Sequence, residues 1–101
     1  MNGFSLETPE TVTRTLASRL KELRLARGWK QLTLAQRSGV SLASLRRFEE
    51  SGRVSLQNLL ELVFALNRLD DFEPLLQGPR AASLAELEAG EKRPTRKRGR
   101  I

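Results

Sequence analysis

The feature that most constrains this chain is a glycine turn set between two short stretches of helical pattern. Leu34 and Ala35 lie before Gly39, and Leu45 follows it at a spacing that places a second helix directly after the turn. Glycine adopts the positive φ that such a turn needs at little steric cost. Ala35 is small where the second helix must cross closely, and Ser41 is placed to cap that helix. The pattern predicts two short helices, residues 31–38 and about 42–51, that meet at a sharp angle.

Further helices are predicted on both sides of this turn. Thr8 can cap a first helix with Pro9 at its first position, and Gly28 follows its end at Arg27. Gly52 ends the helix over 42–51, and Asp70 or Asp71 opens a short fifth helix that runs through Leu76. The apolar positions of the first helix recur every three or four residues, at Val12, Leu16, Leu20 and Leu23. A fourth helix is capped by Ser55 and carries a wide apolar stripe, formed by Leu56, Leu59, Leu60, Val63 and Leu66.

The pattern therefore predicts an all-α chain, a compact five-helix bundle over residues 9–77. Residues 1–8 show no periodicity and are expected to be flexible. Residues 78–101 form a C-terminal extension, in which Ser83-Leu84-Ala85-Glu86 matches a capping box and predicts a short helical turn over 83–89. Residues 90–101 are expected to be a disordered basic tail.

Charge is distributed unevenly along the chain. The net charge is +6, and residues 90–101 alone hold six basic side chains against Glu91, whereas residues 1–89 hold 12 basic and 11 acidic ones. A basic chain favours a polyanionic partner. The tail can neutralise DNA phosphates, lie over a minor groove, contact an acidic protein or serve solubility alone; in a eukaryotic protein it would suggest nuclear import.

Several function classes are disfavoured by composition. The chain has no His, Cys or Tyr and no glycine-rich phosphate loop, and its paired carboxylates are sequence neighbours that point apart on a helix. An enzyme, a cofactor and a metal site are therefore not expected. No apolar run approaches the roughly 18 residues that span a bilayer, and the first residues lack a secretory pattern. We expect no membrane partner and a cytoplasmic location.

The helix over 42–51 carries the best candidate site. Leu45 and Phe48 are expected inward, and a helix placed in this way after a glycine turn is the second, major-groove helix of a helix-turn-helix unit. An outward arginine can bind guanine O6 and N7, a small apolar side chain can contact a thymine methyl group, and a serine can serve a base or a phosphate. The alternative is a solvated helix face in a small bundle whose partner is another protein. The candidate DNA-contacting residues are Ser41, Leu42, Ala43, Ser44, Arg46 and Arg47.

Four more candidates lie at helix ends. Gln31 begins the helix over 31–38, where free backbone N–H groups favour an anion; its amide can bridge a phosphate and the neighbouring helix, or be a surface amide. Lys30 shares that end. Arg37 and Arg53, at the ends of the second and third helices, are either phosphate contacts or solvated charges.

Two structural expectations follow from the same helices. Arg24 and Glu49 lie near inward faces and are expected to form an ion pair between the first and third helices. The apolar side chains after the fourth helix either close the core or form a two-fold dimer face: Leu66, Leu69, Phe72, Leu75 and Leu76. A homodimer on a palindromic operator is favoured.

Residues 12–76, and above all RLKELRLARGWKQLTLAQRSGVSLASLRRFEESGRVSLQNLLELVFAL, resemble the Cro/CI-type (XRE) helix-turn-helix family of DNA-binding proteins. The resemblance implies a lambda-repressor-like five-helix bundle, operator binding as a dimer and repression of transcription on the bacterial nucleoid. It also implies a phosphate contact for Gln31 and base-reading positions at Leu42, Ala43, Arg46 and Arg47. Arg24 and Glu49 match an arginine and a glutamate that pair in several members.

The chain departs from that family pattern at two places. Lys30 stands where a Ser or Thr cap is common, and capping loss typically costs about 1 kcal/mol. Leu42 and Ala43 replace polar base readers, so methyl contacts or DNA shape would carry more of the specificity. The end of the chain, with its leucines, SLAELE and basic tail, is similar to antitoxins paired with kinase-type (HipA-like) toxins. That resemblance implies an alternative function, a HipB-like antitoxin that neutralises a toxin and autoregulates its operon.

Overall fold

The structure, a computed structural model, describes residues 8–79, which fold into α-helices and one 3-10 helix. The predicted all-helical fold is confirmed for this range. Residues 1–7, the 83–89 turn and the 90–101 tail lie outside the described residues. The elements are α1 (Pro9–Ala26), α2 (Gln31–Ser38), α3 (Leu42–Ser51), α4 (Leu56–Ala65) and a 3-10 helix (Leu69–Phe72).

The helix ends follow the local chemistry that the sequence indicates. Thr8 caps α1 in a reciprocal capping box, in which its Oγ1 accepts from the Thr11 backbone N–H at 3.2 Å and its own N–H donates to Thr11 Oγ1 at 3.0 Å. Gly39 after α2 and Gly52 after α3 both adopt left-handed φ angles, +79° and +82°. The bounds predicted for α2 and α3 are confirmed.

The core is formed where α3 packs on α1 and on α2, and α2 packs on α4. The central side chains are fully buried: Leu34, Leu45, Phe48, Leu62 and Leu66. The apolar stripe predicted for α4 is wrong in part, because Leu56 is 66% exposed and Leu62 is buried in its place. The buried face of α4 runs through residues three and four apart, and it begins at Leu59, one turn later than predicted.

The predicted fifth helix is a four-residue 3-10 helix followed by turns, so a five-helix count is not confirmed. Its backbone N–H groups donate three residues back, from Glu73 to Asp70 O and from Leu75 to Phe72 O. Pro74 has no N–H and disfavours an α-helix across this position.

The apolar residues after α4 divide between core and surface. Leu66 is fully buried and Phe72 packs against the core, so these two close the bundle. Leu69, Leu75 and Leu76 are 41%, 58% and 94% exposed. The core-closing interpretation is therefore correct for Leu66 and Phe72, and the other three leucines stay outside the core.

Candidate nucleic-acid interface

The turn between α2 and α3 is held by buried apolar side chains. Val40, the residue after Gly39, is 4% exposed, and it joins the buried Leu34 and Leu45 in the core. Ser41 caps α3, since its Oγ accepts from the Ser44 backbone N–H at 3.1 Å. Burial on the inner side thus fixes which face of α3 is turned to solvent.

The outward face of α3 holds most of the side chains predicted for it. Ala43, Arg46 and Arg47 are exposed. Ser44 is half-buried, and its Oγ accepts from Ser41 Oγ at 2.9 Å. Leu42 departs from the prediction, because it is half-buried and packs against the core. It lies three residues before Leu45, so it shares the inner face, and only part of its side chain is free for a thymine methyl group.

A buried ion pair joins α1 to α3 and confirms the predicted partners. Arg24 Nε donates to Glu49 Oε2 at 2.8 Å, and Arg24 Nη2 donates to Glu49 Oε1 at 2.9 Å. The two side chains are 7% and 4% exposed. Arg24 Nη1 also donates to the Trp29 carbonyl oxygen at 2.9 Å, so one guanidinium ties α3 and the α1–α2 loop together. A bidentate charge-assisted pair of this kind fixes orientation as well as distance.

Gln31 connects this ion pair to the surface of α3. Its Nε2 donates to Glu49 Oε1 at 3.0 Å, and its Oε1 accepts from Arg46 Nε at a longer 3.4 Å. The contact with Glu49 confirms that the amide of Gln31 reaches the neighbouring helix. The contact with Arg46 was not predicted. A continuous chain of polar contacts therefore runs from Arg24 in the interior to Arg46 on the exposed face.

The first turn of α2 has no side-chain cap. Lys30 occupies the N-cap position with no side-chain hydrogen bond, and it is exposed. The N-cap of α2 therefore lacks the side-chain hydrogen bond that a Ser or Thr at this position can supply. The backbone N–H groups of the first turn are left for solvent or for an anion, next to the amide of Gln31.

Arg37 lies away from this chain of contacts, over the ring of Trp29. The distance from its Cζ to the ring centroid is 4.6 Å, and Arg27 lies over the same ring at 5.3 Å. Arg27 Nη2 also donates to the Leu66 carbonyl oxygen at 2.6 Å, which joins the end of α1 to the end of α4. None of these three contacts was predicted, and the only signal in the sequence was a single tryptophan, Trp29, that lies between the two arginines.

Arg47 and Arg53 are the two remaining arginines that are predicted to contact DNA. Both are exposed, and neither side chain makes an ion pair or hydrogen bond with another residue in the 8–79 range. The backbone N–H of Arg53 donates to Ser51 Oγ at 3.2 Å, which shapes the chain after α3. Of the ten predicted site residues, the structure joins Gln31 to Arg46 and Ser41 to Ser44.

Within residues 8–79, no cluster of three acidic side chains could hold a metal ion. In the same part of the chain, no helix combines the length and apolar character needed to cross a membrane.

Comparison with known proteins agrees with this geometry. A family model described as helix-turn-helix matches residues 20–71, more than half of the chain, and it spans all of α2 and α3. No curated protein matches the chain significantly. The chain therefore belongs to the XRE-type (Cro/CI) helix-turn-helix family of DNA-binding regulators.

Proposed function

We propose that this protein is a dimeric, sequence-specific repressor that inserts α3 into the major groove of a palindromic operator. The observation that carries the proposal is that α3 is held in a fixed orientation by contacts on its inner face. A buried ion pair between Arg24 and Glu49 holds the helix from behind, and Arg46 and Arg47 are exposed in front. A recognition helix acts by placing such side chains against base edges, and repression follows from occupying the site. The place of action would be the nucleoid in the bacterial cytoplasm.

Phosphate contacts are assigned to the start of α2 and to the flanks of α3. Gln31 Nε2 has a second hydrogen beyond the one it gives to Glu49, and it lies beside the uncapped first turn. Lys30 adds charge at this end, and Arg53 adds charge after α3. Arg37 would reach a phosphate only by leaving the ring of Trp29. These contacts would set the register of the domain on DNA.

Base contacts are assigned to the exposed side of α3. Arg46 has its Nε directed to Gln31, which leaves its two terminal nitrogens for guanine O6 and N7. Arg47 can serve a base or a phosphate. Ser41 and Ser44 can donate to either, while Ala43 and the exposed part of Leu42 suit a thymine methyl group. Because these two positions lack polar groups, DNA shape would contribute to specificity.

Selection of bound sequences from random double-stranded DNA tests the proposal. We expect a palindromic consensus with half-site centres one helical turn, about 10 base pairs, or a multiple of it apart. Enrichment of an asymmetric site would overturn the dimeric arrangement. Recovery of unrelated sequences would overturn sequence-specific recognition.

Single substitutions separate base readers from phosphate contacts. Replacing a base-reading arginine by alanine should cost about 1–3 kcal/mol of binding and relax preference at one base pair per half-site. Loss of a phosphate contact should weaken all sites equally and reduce the salt slope by about 1. Arg46→Ala is expected to show the first behaviour. Arg47→Ala decides between the two roles, and Arg68→Ala on the opposite side is the matched control. An unchanged consensus and affinity in Arg46→Ala would contradict its assignment.

Dimerisation is proposed through the exposed leucine-rich end. Leu69 and Leu76 remain exposed after the core is closed, and closed two-fold dimers are the commonest soluble oligomers. Sedimentation equilibrium of the Leu69→Ser/Leu76→Ser protein should show weaker association than the parent. Equal association would place the dimer contact elsewhere.

The same exposed end favours a second candidate, a HipB-like antitoxin that binds a kinase-type toxin. Leu69, Leu75 and Leu76 are all exposed, which leaves apolar surface at this end for a protein partner. Co-expression with the product of an adjacent kinase-like reading frame, followed by gel filtration, tests this function. A stable complex would support it, and separate elution would reject it.

The basic tail is proposed to add non-specific affinity for DNA. Deleting residues 90–101 removes six basic side chains and should flatten the slope of log affinity against log salt concentration. The selected consensus should stay the same. An identical slope would leave the tail without a role in DNA binding.

A further inference from the structure

An open apolar groove lies on the side of the domain formed by α1 and α4. Its volume is about 800 Å³, and its third wall is the segment around the 3-10 helix. Leu16 and Leu23 of α1 face Leu59 and Val63 of α4, and Phe72 and Leu75 line the remaining side. We call this surface the α1–α4 groove. An apolar concavity of this size favours an occupant that brings apolar side chains.

The rim of the groove narrows the choice of occupant. It holds two cations and two anions, Arg19, Glu22, Arg68 and Asp71. A balanced rim of this kind gives no net attraction to a highly charged segment. The 90–101 tail, with six basic residues against one acidic residue, is therefore a poor fit.

We propose that residues 83–89 of the same chain dock in the α1–α4 groove as a short amphipathic helix. This segment contains both leucines of the chain beyond Pro79, Leu84 and Leu87, and their spacing of three places them on one helical face. Ser83 and Glu86 have capping-box spacing. A helix of seven residues is about 10 Å long, close to the length of α1 between the groove residues Leu16 and Leu23, which are seven residues apart.

The short linker between the groove and residues 83–89 favours this segment, rather than a second copy of the chain, as the occupant of the groove. Ser83 lies eight positions after Leu75, a wall of the groove, and eight residues reach up to about 29 Å when extended. A segment on such a short linker has an effective concentration in the millimolar range. A second copy at micromolar concentration would need about a thousandfold tighter binding to compete. An isolated two-turn helix is marginal in water, so docking and helix formation would occur together.

Cysteine crosslinking tests the proposal directly, since the full chain contains no cysteine. Ala26 lies on the groove wall and Ala85 flanks the proposed apolar face. The full-length Ala26→Cys/Ala85→Cys protein, treated with a short bismaleimide, should form an intramolecular crosslink. The matched control carries Leu84→Ser/Leu87→Ser in addition, and it should lose most of that product. Equal crosslinking in both proteins would overturn the proposal. A product found only as covalent dimers would assign the groove to a second copy.

Thermal unfolding gives an independent readout in the chain without added cysteines. Leu84→Ser/Leu87→Ser should lower Tm by roughly 5–10 °C, because two buried leucines contribute to a domain of this size. It should also increase binding of an apolar dye, since the groove opens. Arg96→Ser/Lys97→Ser, placed in the tail, is the control and should match the parent. If the leucine variant matches the parent in both Tm and dye binding, the segment does not occupy the groove.

Discussion

Two ion pairs in residues 8–79 show how differently the two sides of this domain are built. Arg24 and Glu49, behind the recognition helix, lie 2.8 Å apart with side chains 7% and 4% exposed. Arg68 and Asp71, at the α1–α4 groove, lie 3.0 Å apart but are 46% and 51% exposed. The distances are similar, and burial separates the two pairs. If one partner of the first pair is removed, the other partner is left as an unpaired charge in the interior. If one partner of the second pair is removed, water solvates the charge that remains.

The contrast extends to the surroundings of each pair. On the α2–α3 side, polar contacts continue from Glu49 through Gln31 to Arg46, so an exposed side chain is oriented by the interior. On the α1–α4 side, apolar walls are left open and Leu75 is 58% exposed. The interior therefore orients side chains on the α2–α3 surface, whereas the α1–α4 surface keeps an open apolar face.

The largest expected effect is at Glu49. Glu49→Ala leaves the Arg24 guanidinium buried without its carboxylate and should lower the free energy of unfolding by about 3–5 kcal/mol. Urea unfolding measures the loss. Glu50→Ala, the exposed neighbour on α3, is the matched control and should stay within about 0.5 kcal/mol of the parent. Similar values for the two variants would remove the contrast between the buried and exposed pairs.

The next largest difference is expected between the two glycines that follow α2 and α3, Gly39 and Gly52. An alanine at either position adopts left-handed φ at a cost of roughly 1–2 kcal/mol. At Gly39 nothing lies within 4 Å of the added Cβ, whereas at Gly52 the added Cβ would lie 3.0 Å from Thr13 Oγ1 and 3.1 Å from its carbonyl carbon. Gly52→Ala should therefore lower the free energy of unfolding by about 1 kcal/mol more than Gly39→Ala does. Equal losses would show that α1 yields at this contact.

A smaller and opposite effect is expected at Lys30. Lys30→Ser supplies the side-chain cap that α2 lacks and should stabilise the fold by about 1 kcal/mol. Lys30→Ala controls for loss of the lysine itself. If the serine and alanine variants unfold at the same denaturant concentration, the first turn of α2 gains nothing from a cap.

The smallest effect is expected at the exposed ion pair. Asp71→Asn should change the free energy of unfolding by less than about 1 kcal/mol, and the difference should shrink at high salt. Asp70→Asn, the adjacent exposed carboxylate, is the control. A loss comparable to that of Glu49→Ala would mean that this side is more rigid than its exposure indicates.

Much of the fold was predictable because it depends on local chemistry. The bounds of α2 and α3 follow from Gln31, Gly39, Ser41 and Gly52, whose effects act within a turn or two of the chain. The stripe on α4 was predicted correctly at Leu59, Val63 and Leu66 but wrongly at Leu56 and Leu62, because burial at these two positions depends on where the neighbouring helices pack. The 3-10 helix has a local signal in Pro74, which disfavours an α-helix across this position although the apolar spacing around it is helical.

The sequence by itself determined an all-helical domain and the turn between α2 and α3. Capping, left-handed glycine and helical periodicity specify these two features over short distances in the chain. The pairing of Arg24 with Glu49, 25 residues apart, was predicted from the inward faces of two helices and from the family resemblance. Only the tertiary structure decided that Gln31 meets Arg46, that Leu42 turns partly inward and that a groove remains open beside α1. These features depend on the crossing of helices, and residues far apart in sequence meet there only after the core has packed.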